Sequence, residues 1–227
     1  MEEDDGRLDY LYRQTLNFYR ASVLTLAAAE NSKAGVKPVR WIQVPALSRS
    51  HFPPCFADVQ KKLEERNRLG HHARVALTLF LKEIGLPLTE ALQFWEHYYS
   101  REPRKGGGGG CSGHSWQTDG RRYTYSVKGL YGKAGAGVDY AAHGCASIIG
   151  HGCSPTSEVT CPFAASQEVA DWIQLGLNET EAKAAHQAQG VQQACQAACS
   201  KMLATRLQSQ VSYQITKPSV YYRIAQS

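Results

Sequence analysis

Hydrophobic residues recur at intervals of three and four positions along much of this chain, and that spacing predicts α-helices. The first such stretch covers residues 8–30, where the apolar positions are Leu8, Tyr12, Leu16, Tyr19, Val23 and Leu26. Gly, Pro and Ser then interrupt the period over residues 31–50, which predicts a connector. We therefore expect an N-terminal helical arm and connector at residues 1–47, followed by a main domain at residues 48–227.

Helical spacing returns after Phe52 and continues over most of the remaining chain. The predicted helices cover residues 57–69, 71–84, 89–99, 142–149, 166–175, 179–189 and 191–207. Gly85 follows the second of these helices, and Asn178 with Glu181 forms a capping box at the start of the sixth. Trp95 lies on the apolar face of the third helix and is expected in the core.

Two stretches break the helical pattern. Residues 101–120 include five consecutive glycines, whose backbone entropy predicts a flexible insertion, and Cys111 within it is expected to be a free thiol. Beyond it, Tyr123, Tyr125 and Val127 alternate with polar residues and glycines follow, which predicts a short β-hairpin. The expected fold is therefore mainly α, a compact helical domain with one short hairpin.

The composition is that of a soluble globular protein. Hydrophobic residues make up 43% of the chain and charged residues 20%, and no apolar run approaches the roughly 18 residues that span a membrane. The acidic start MEEDDGRLDY has no secretory-signal pattern, so we expect reduced thiols. Seven cysteines, an odd number, then predict metal ligands and buried thiols rather than a disulfide framework.

Positive charge is concentrated in one third of the chain. Between Arg66 and Lys133 there are eleven Lys and Arg residues against five Asp and Glu residues, whereas the net charge of the whole chain is only +5. Such a segment, interleaved with tyrosines, suits a polyphosphate partner such as a nucleic acid. The charge alone fits an ordinary solvated face equally well.

Four widely separated cysteines suggest one buried metal centre. Cys55, Cys145, Cys161 and Cys195 lie in or beside helices and Pro-flanked turns, with gaps of 90, 16 and 34 residues. Four thiolates suit Zn²⁺ or an iron–sulfur cluster, and these long gaps argue mildly against a zinc ribbon. Spacing alone favours a simpler interpretation, in which some are buried apolar thiols.

A set of motifs gives the chain a family resemblance. In order, FPPC (52–55), LEERNRLGHHARVALTLFLKEIGLPLTEALQFW (63–95), YTYSVKGLYG (123–132), TCPF (160–163) and ACQ (194–196) resemble the C-terminal domain of eukaryotic and archaeal DNA primase large subunits. The resemblance runs from about Ser48 to Ile224. It implies a mainly helical domain around a [4Fe–4S] cluster.

The resemblance also implies which cysteines hold that cluster. The matching positions are Cys55, Cys145, Cys161 and Cys195. Cys199, one helical turn beyond Cys195, and Cys153, in a nearby loop, remain alternative ligands.

The resemblance further implies a function without catalysis by this chain. A primase large subunit binds the template and the 5′-triphosphate end of the RNA primer during replication initiation, whereas a separate small subunit polymerises the RNA. The implied partners are that catalytic small subunit, a DNA polymerase alpha-type complex, template DNA and the RNA primer, and the implied location in a eukaryote is the nucleus.

The candidate binding residues combine cations, hydroxyls and rings. They are Arg68, His71, Arg74, Lys82, Tyr123, Tyr125, Ser126 and Lys128. The family tends to have another basic residue where Gly70 stands here. Without the resemblance, alternating tyrosines are more typical of a half-buried strand than of a base-stacking pair.

Two other classes of function remain open. One is an iron–sulfur DNA-repair glycosylase or nuclease, although no catalytic Asp or Lys can be assigned, and the other is a zinc-stabilised interaction domain. The chain has no Walker loop, Rossmann fingerprint or Ser-His-Asp arrangement, and Asp119 and Asp139 are too isolated to predict a polymerase carboxylate pair.

Overall fold

The computed structural model describes residues 38–104, 115–152, 157–165, 178–180, 190–210 and 213–227. The predicted N-terminal helix at 8–30, the glycine run, Cys111, Cys153 and the predicted helix at 166–175 lie outside the described residues. In the part of the chain that is described, every regular element is helical. The mainly α prediction is therefore confirmed.

Eight α-helices and two short 3-10 helices have defined bounds in the described ranges. The α-helices are α1 (Val44–Ser50), α2 (Pro54–Arg66), α3 (His71–Glu83), α4 (Leu88–Tyr99), α5 (Trp116–Leu130), α6 (Cys145–Gly152), α7 (Gly190–Arg206) and α8 (Pro218–Gln226). The 3-10 helices are Trp41–Gln43 and Pro162–Ala165. Within these described helices, none is long and apolar enough to cross a membrane.

Local sequence explains where α2, α3 and α4 begin and end. Prolines precede or open α2 and α4, positions where the missing N–H has no intrahelical partner to lose. α2 ends at Asn67, which adopts the left-handed conformation with φ 55°. Gly85, with φ 102°, follows α3 as the sequence predicts, so the chain reverses between α3 and α4.

The largest hydrophobic core lies among α1 to α4, with α5 and α8 packed against it. The rings of Phe56 and Phe80 stack in parallel with centroids 4.2 Å apart, and Tyr222 of α8 meets Phe80 edge-on. Trp95 is fully buried, and its Nε1–H donates a 3.0 Å hydrogen bond to Thr78 Oγ1. The prediction that Trp95 belongs to the core is confirmed.

The predicted connector at 31–50 is wrong from residue 41 onward. Trp41–Gln43 and Val44–Ser50 are helical, because Pro45 opens α1 without the cost it would carry in a helix interior. Val39 and Val44 are buried in the main core, and Val39 N–H donates to Gly85 O at 3.0 Å. The compact unit therefore begins before residue 48.

The predicted β-hairpin is also wrong, since Tyr123, Tyr125 and Val127 lie in α5. Ser115 caps this helix by accepting a 3.2 Å hydrogen bond from Thr118 N–H. Residues 115–120 are consequently ordered and do not belong to a flexible insertion. Tyr123 and Val127, four residues apart on one helical face, are buried where this helix packs against α3 and α4, and that burial outweighs the local strand-like alternation.

Candidate metal centre and nucleic-acid interface

Five cysteines from four separate segments line one cavity. They are Cys55 on α2, Cys145 on α6, Cys161 before the 3-10 helix, and Cys195 and Cys199 on α7. Prolines, isoleucines, one phenylalanine and one glutamine complete the wall, namely Pro53, Pro54, Ile148, Ile149, Pro162, Phe163, Gln196, Ile215 and Pro218. The structure thus brings together all four cysteines that the sequence nominated and adds Cys199.

Cys55 is placed by the start of α2. Pro53 and Pro54 fix the approach, and the Pro53 carbonyl accepts hydrogen bonds from Phe56 N–H at 3.1 Å and Ala57 N–H at 2.9 Å. Burial raises the pKa of the Cys55 thiol well above its ordinary value, and negative charge at Cys199, Cys161 and Cys145 adds to the rise. Several thiolates in this cavity therefore repel one another unless a cation lies among them.

Cys161 is the thiol best prepared to lose its proton. A hydrogen bond from the Cys195 thiol is the main cause of its lowered pKa, and the N–H groups of Phe163 and Ala164 contribute, although burial opposes them. The same bond raises the pKa of Cys195, with burial second. These backbone donors belong to the 3-10 helix that follows Cys161, so the Pro-Phe turn orients N–H groups toward sulfur.

Cys199 approaches the cavity from the same face of α7 as Cys195, because the two are four residues apart. Burial raises the pKa of Cys199, and charge at Cys145 and Cys161 adds to it. Burial is also the largest cause of the raised pKa of Tyr221, to which charges at Cys199 and Cys55 contribute. Cys199 also packs against the apolar cluster that contains Tyr221.

Cys145 closes the cavity from α6. Its thiol lies 3.9 Å from the carbonyl oxygen of Ile215, and burial raises its pKa to about 11. In the ranges described, no three Cys, His, Asp or Glu side chains converge closely enough to hold a single metal ion. An iron–sulfur cluster requires less convergence, because its iron and sulfide atoms lie between the thiolates.

A second set of residues forms a ring stack on the surface of α3, α4 and α5. The Arg74 guanidinium lies 4.9 Å from the centroid of the Tyr123 ring, and Tyr123 packs edge-on against Tyr99 at 4.9 Å. On α5, Trp116 stacks parallel to Tyr123, with centroids 6.0 Å apart and planes inclined by 7°. Cation–π contact and aromatic packing therefore hold Arg74 in place beside solvent.

His71 extends this surface at the start of α3. It is exposed, and its Nδ1 lies 3.3 Å from Arg74 Nη2. Burial lowers the pKa of His71, and the positive charges of Arg74, His72 and Arg122 lower it further. Arg122 on α5 is also exposed, so α3 and α5 both present cations to solvent.

Two cations that were predicted to bind nucleic acid instead make hydrogen bonds within the fold. Arg68 is only 6% exposed, and its guanidinium donates to the carbonyls of Asn67 at 2.7 Å and Tyr98 at 3.2 Å. Lys82 Nζ donates to the carbonyls of Leu130 and Tyr140, both at 2.8 Å, and pairs with Asp139. Both side chains satisfy carbonyls at the C-terminal ends of helices, which positions α4 and α5.

The tyrosine pair does not share a face, contrary to the predicted strand. Tyr123 is 6% exposed and part of the core, whereas Tyr125 is 62% exposed. Lys128 is exposed and Ser126 half-buried. Because α5 is helical, Tyr125 and Lys128 are three residues apart on neighbouring surface positions and face solvent together.

Glu158 connects the two regions and was not nominated from the sequence. Its carboxylate, 14% exposed, accepts from Gly70 N–H at 2.5 Å and pairs with Arg66 at 3.3 Å, while Lys62 Nζ donates to its backbone carbonyl at 3.1 Å. Glu158 lies three residues before Cys161, so the segment entering the cavity is tied to the start of α3. Only its proximity to TCPF in the sequence pointed to such a role.

Comparison with known proteins places this geometry in a family. A family model that describes the C-terminal domain of the large subunit of eukaryotic and archaeal DNA primase matches residues 45–222. The DNA primase large subunit of Mus musculus is 36% identical over 110 residues, which are 47% of this chain and 19% of that protein. The Homo sapiens DNA primase large subunit is 33% identical over 122 residues, covering 52% and 21%.

A longer alignment is found with a fungal protein. The probable DNA primase large subunit of Neurospora crassa is 26% identical over 175 residues, which are 72% of this chain and 30% of that protein. The chain thus matches about a fifth to a third of the length of these relatives. The family match begins inside α1 and ends in α8, so it includes both the cysteine cavity and the ring stack. The chain belongs to the eukaryotic and archaeal DNA primase large subunit family, in the region of its C-terminal domain.

Proposed function

We propose that this chain binds template DNA together with the 5′-triphosphate end of an RNA primer, and that a separate catalytic small subunit makes the RNA. The observation that carries the proposal is the ring-supported Arg74 beside exposed His71. A triphosphate needs several donors converging on dense negative charge, and a guanidinium fork fixed by aromatic rings meets that need with little loss of side-chain entropy. Exposed Tyr125 and Lys128 on adjoining α5 suit the template strand.

Arg68 and Lys82 have a different role in this proposal from the one the resemblance implies. Their donors are directed to carbonyls at the ends of α4 and α5. They therefore position the helices that carry the exposed residues. The residues that contact nucleic acid directly in this proposal are His71, Arg74, Tyr125 and Lys128. Ser126 lies at the edge of this set, and the Tyr123 ring supports Arg74.

We also propose that the cysteine cavity holds a [4Fe–4S] cluster. Buried and half-buried thiols from four distant segments form a donor set that suits such a cluster, and the lowered pKa of Cys161 favours the thiolate that ligation requires. Bound there, the cluster would supply electrostatic and covalent links among α2, α6, α7 and the 3-10 helix. The chain's own N–H groups at Phe163 and Ala164 would then donate to the Cys161 sulfur.

The fourth ligand comes from α7, which presents two thiols to the cavity. Sequence context favours Cys195, and the hydrogen bond between the Cys195 and Cys161 thiols brings these two sulfur atoms together. We propose Cys55, Cys145, Cys161 and Cys195 as the four ligands, with Cys199 as the alternative to Cys195.

The partners follow from the family. The catalytic small subunit of primase and a DNA polymerase alpha-type complex are proposed as the assembly in which this region acts, in the nucleus if the source is a eukaryote. The enzyme alternative, a DNA-repair glycosylase or nuclease, lacks a supporting site among the described residues.

A binding experiment tests the nucleic-acid role. Fluorescence anisotropy would compare a duplex that has a 5′-triphosphate RNA end and a template 3′-overhang with the same duplex ending in a 5′-hydroxyl. We expect tighter binding to the triphosphate, and Arg74→Ala should weaken it about tenfold and reduce the dependence on salt by about one phosphate contact. Arg49→Ala is the matched control, because Arg49 is 69% exposed on α1 and pairs only loosely with Glu64 at 3.8 Å. Equal affinity for both duplex ends would refute the proposal.

A further inference from the structure

The solvent-facing side of α5 carries a groove, and the predicted site residues line only part of it. Its lining includes Trp116, Gln117, Arg121, Tyr125 and Lys128. Tyr125 and Lys128 were nominated from the sequence, but the N-terminal half of the groove was not. The groove opens beside the indole of Trp116.

The orientation of the Trp116 ring is fixed by its neighbours before any ligand binds. Its ring stacks parallel on Tyr123, which is itself buried between Tyr99 and the Arg74 guanidinium. Tryptophan fixed in this way loses little rotamer entropy when a planar partner stacks on it. Trp116 remains half-exposed, so part of the ring is still in contact with water.

Gly120 keeps the helix surface next to this indole free of side chain. A Cβ built at Gly120 would meet Cδ1 and Nε1 of Trp116 at 3.5 Å and Cε2 at 3.6 Å. Glycine within a helix costs about 1 kcal/mol relative to alanine, so the open space comes with lower helix stability. Trp116 and Gly120 both line the groove, so position 120 contributes no side chain over the pyrrole edge of the indole.

Positive charge lines the same groove as the Trp116 indole. Arg121 and Lys128 are exposed, and Tyr125 lies between them at spacings of four and three residues. The acidic residue nearby, Asp119, accepts from Thr118 Oγ1 at 2.8 Å. Aromatic surface bordered by cations is complementary to an unpaired base with phosphates on either side.

We propose that Trp116 is a stacking site for an unpaired base of the template strand, with Arg121 and Lys128 on its flanking phosphates. The inference rests on the proposed function and extends it beyond the primer end. The ligand is single-stranded nucleic acid, because an unpaired base stacks face-on on the indole and the backbone phosphates pair with Arg121 and Lys128. A folded protein partner would not require both.

Paired glycine substitutions test this inference without removing the ring. Gly120→Ala puts a methyl group on the pyrrole edge, whereas Gly129→Ala adds the same methyl in the same helix where nothing lies within 4 Å. Both should raise the thermal unfolding midpoint slightly. We expect Gly120→Ala alone to weaken binding of a template 3′-overhang about threefold or more, measured as the ratio of affinities for overhang and blunt duplexes.

Trp116 variants provide the second arm. Trp116→Ala should lower that affinity ratio about tenfold, within the range for loss of one base–aromatic stack, and Trp116→Phe should recover most of it. Equal ratios for the two glycine variants, or no change in the ratio for Trp116→Ala, would overturn the inference. If one of these results is found while blunt duplexes still show the triphosphate preference that depends on Arg74, only this inference fails. Loss of the triphosphate preference would instead reject the proposed function.

Discussion

The cysteine cavity and the α3–α5 surface differ in how the chain builds them. The cavity collects cysteines from position 55 to position 199, and the rest of its wall is mostly proline and isoleucine. The surface comes from three helices that are close in sequence and is exposed, cationic and aromatic. The cavity depends on segments that are distant in sequence coming together, whereas the surface depends on how three neighbouring helices pack. Mutations in the two regions should therefore have different effects.

The largest difference should come from removing a cavity thiol. Cys161→Ser should abolish iron content and visible absorption and lower the unfolding midpoint, because the segments around the cavity lose their shared link. Iron and sulfide quantitation with circular dichroism would measure this. Cys111→Ser serves as the matched change at a thiol predicted to be free.

Finding zinc in place of iron in the purified protein would support the zinc-stabilised alternative. Full retention of iron by Cys161→Ser would remove Cys161 from the ligand set. Arg74→Ala, on the other region, should retain the iron of the parent chain, and its loss there would show that the two regions are not separable.

The next largest contrast lies within α7. Cys195→Ser should lose most bound iron, and Cys199→Ser should retain most of it, because the Cys195 thiol is hydrogen-bonded to Cys161. Iron per chain and the visible spectrum of each variant would decide between them. The reverse pattern would assign the fourth ligand to Cys199, and equal loss would mean that both thiols are needed.

Glu158 tests whether the two regions are coupled. Glu158→Gln weakens the pair with Arg66 and a charge-assisted bond from Gly70 N–H, so we expect about 1–2 kcal/mol lower free energy of unfolding. Glu65→Gln, at an exposed pair with Lys61, should change it by at most about 0.5 kcal/mol. Denaturant titration gives both values, and matching values would leave Glu158 without a special role.

The smallest expected effect is a pH dependence confined to the surface. The pKa of His71 is lowered by burial and by Arg74, His72 and Arg122, so the free chain holds His71 mainly neutral near pH 7. A bound phosphate favours the protonated form, and affinity should therefore rise a few-fold as pH falls through this pKa. Anisotropy from pH 7.5 to 5.5, as a window of about one unit on either side of an ordinary His pKa, would show it.

His71→Ala should flatten that rise. An unchanged profile in the variant would assign the effect to another group, His72 being the nearest. The iron content should stay constant over the same pH range in both proteins, which separates this response from any change in the cavity.

Motifs carried more of the prediction than local periodicity did. Spacing alone did not separate Cys55, Cys145, Cys161 and Cys195 from ordinary buried thiols, and the motifs shared with the family selected them from the seven cysteines. Cys199 was already an alternative ligand, and the structure adds that it lines the same cavity. The α2, α3 and α4 helices were predicted because their apolar faces and terminal signals agree.

The α5 region could not be predicted in the same way. The alternation at Tyr123 and Tyr125 has a period of two, whereas the buried residues Tyr123 and Val127 follow the helical period that tertiary packing selects. Trp116 lies close to the glycine run, and its role depends on Tyr123 being beneath it. In the sequence, Arg68 and Lys82 look like surface cations. Only the structure shows that they donate hydrogen bonds to carbonyls of α4 and α5.

The Glu158 carboxylate has a consequence for where a ligand can approach. It accepts from the backbone N–H of Gly70 and pairs with Arg66, so that N–H is already occupied at the start of α3. An incoming phosphate would find that donor taken and would be drawn instead toward His71 and toward Arg74, which lies one turn beyond Gly70. A single acidic residue thereby sets a border to the electropositive footprint of the molecule.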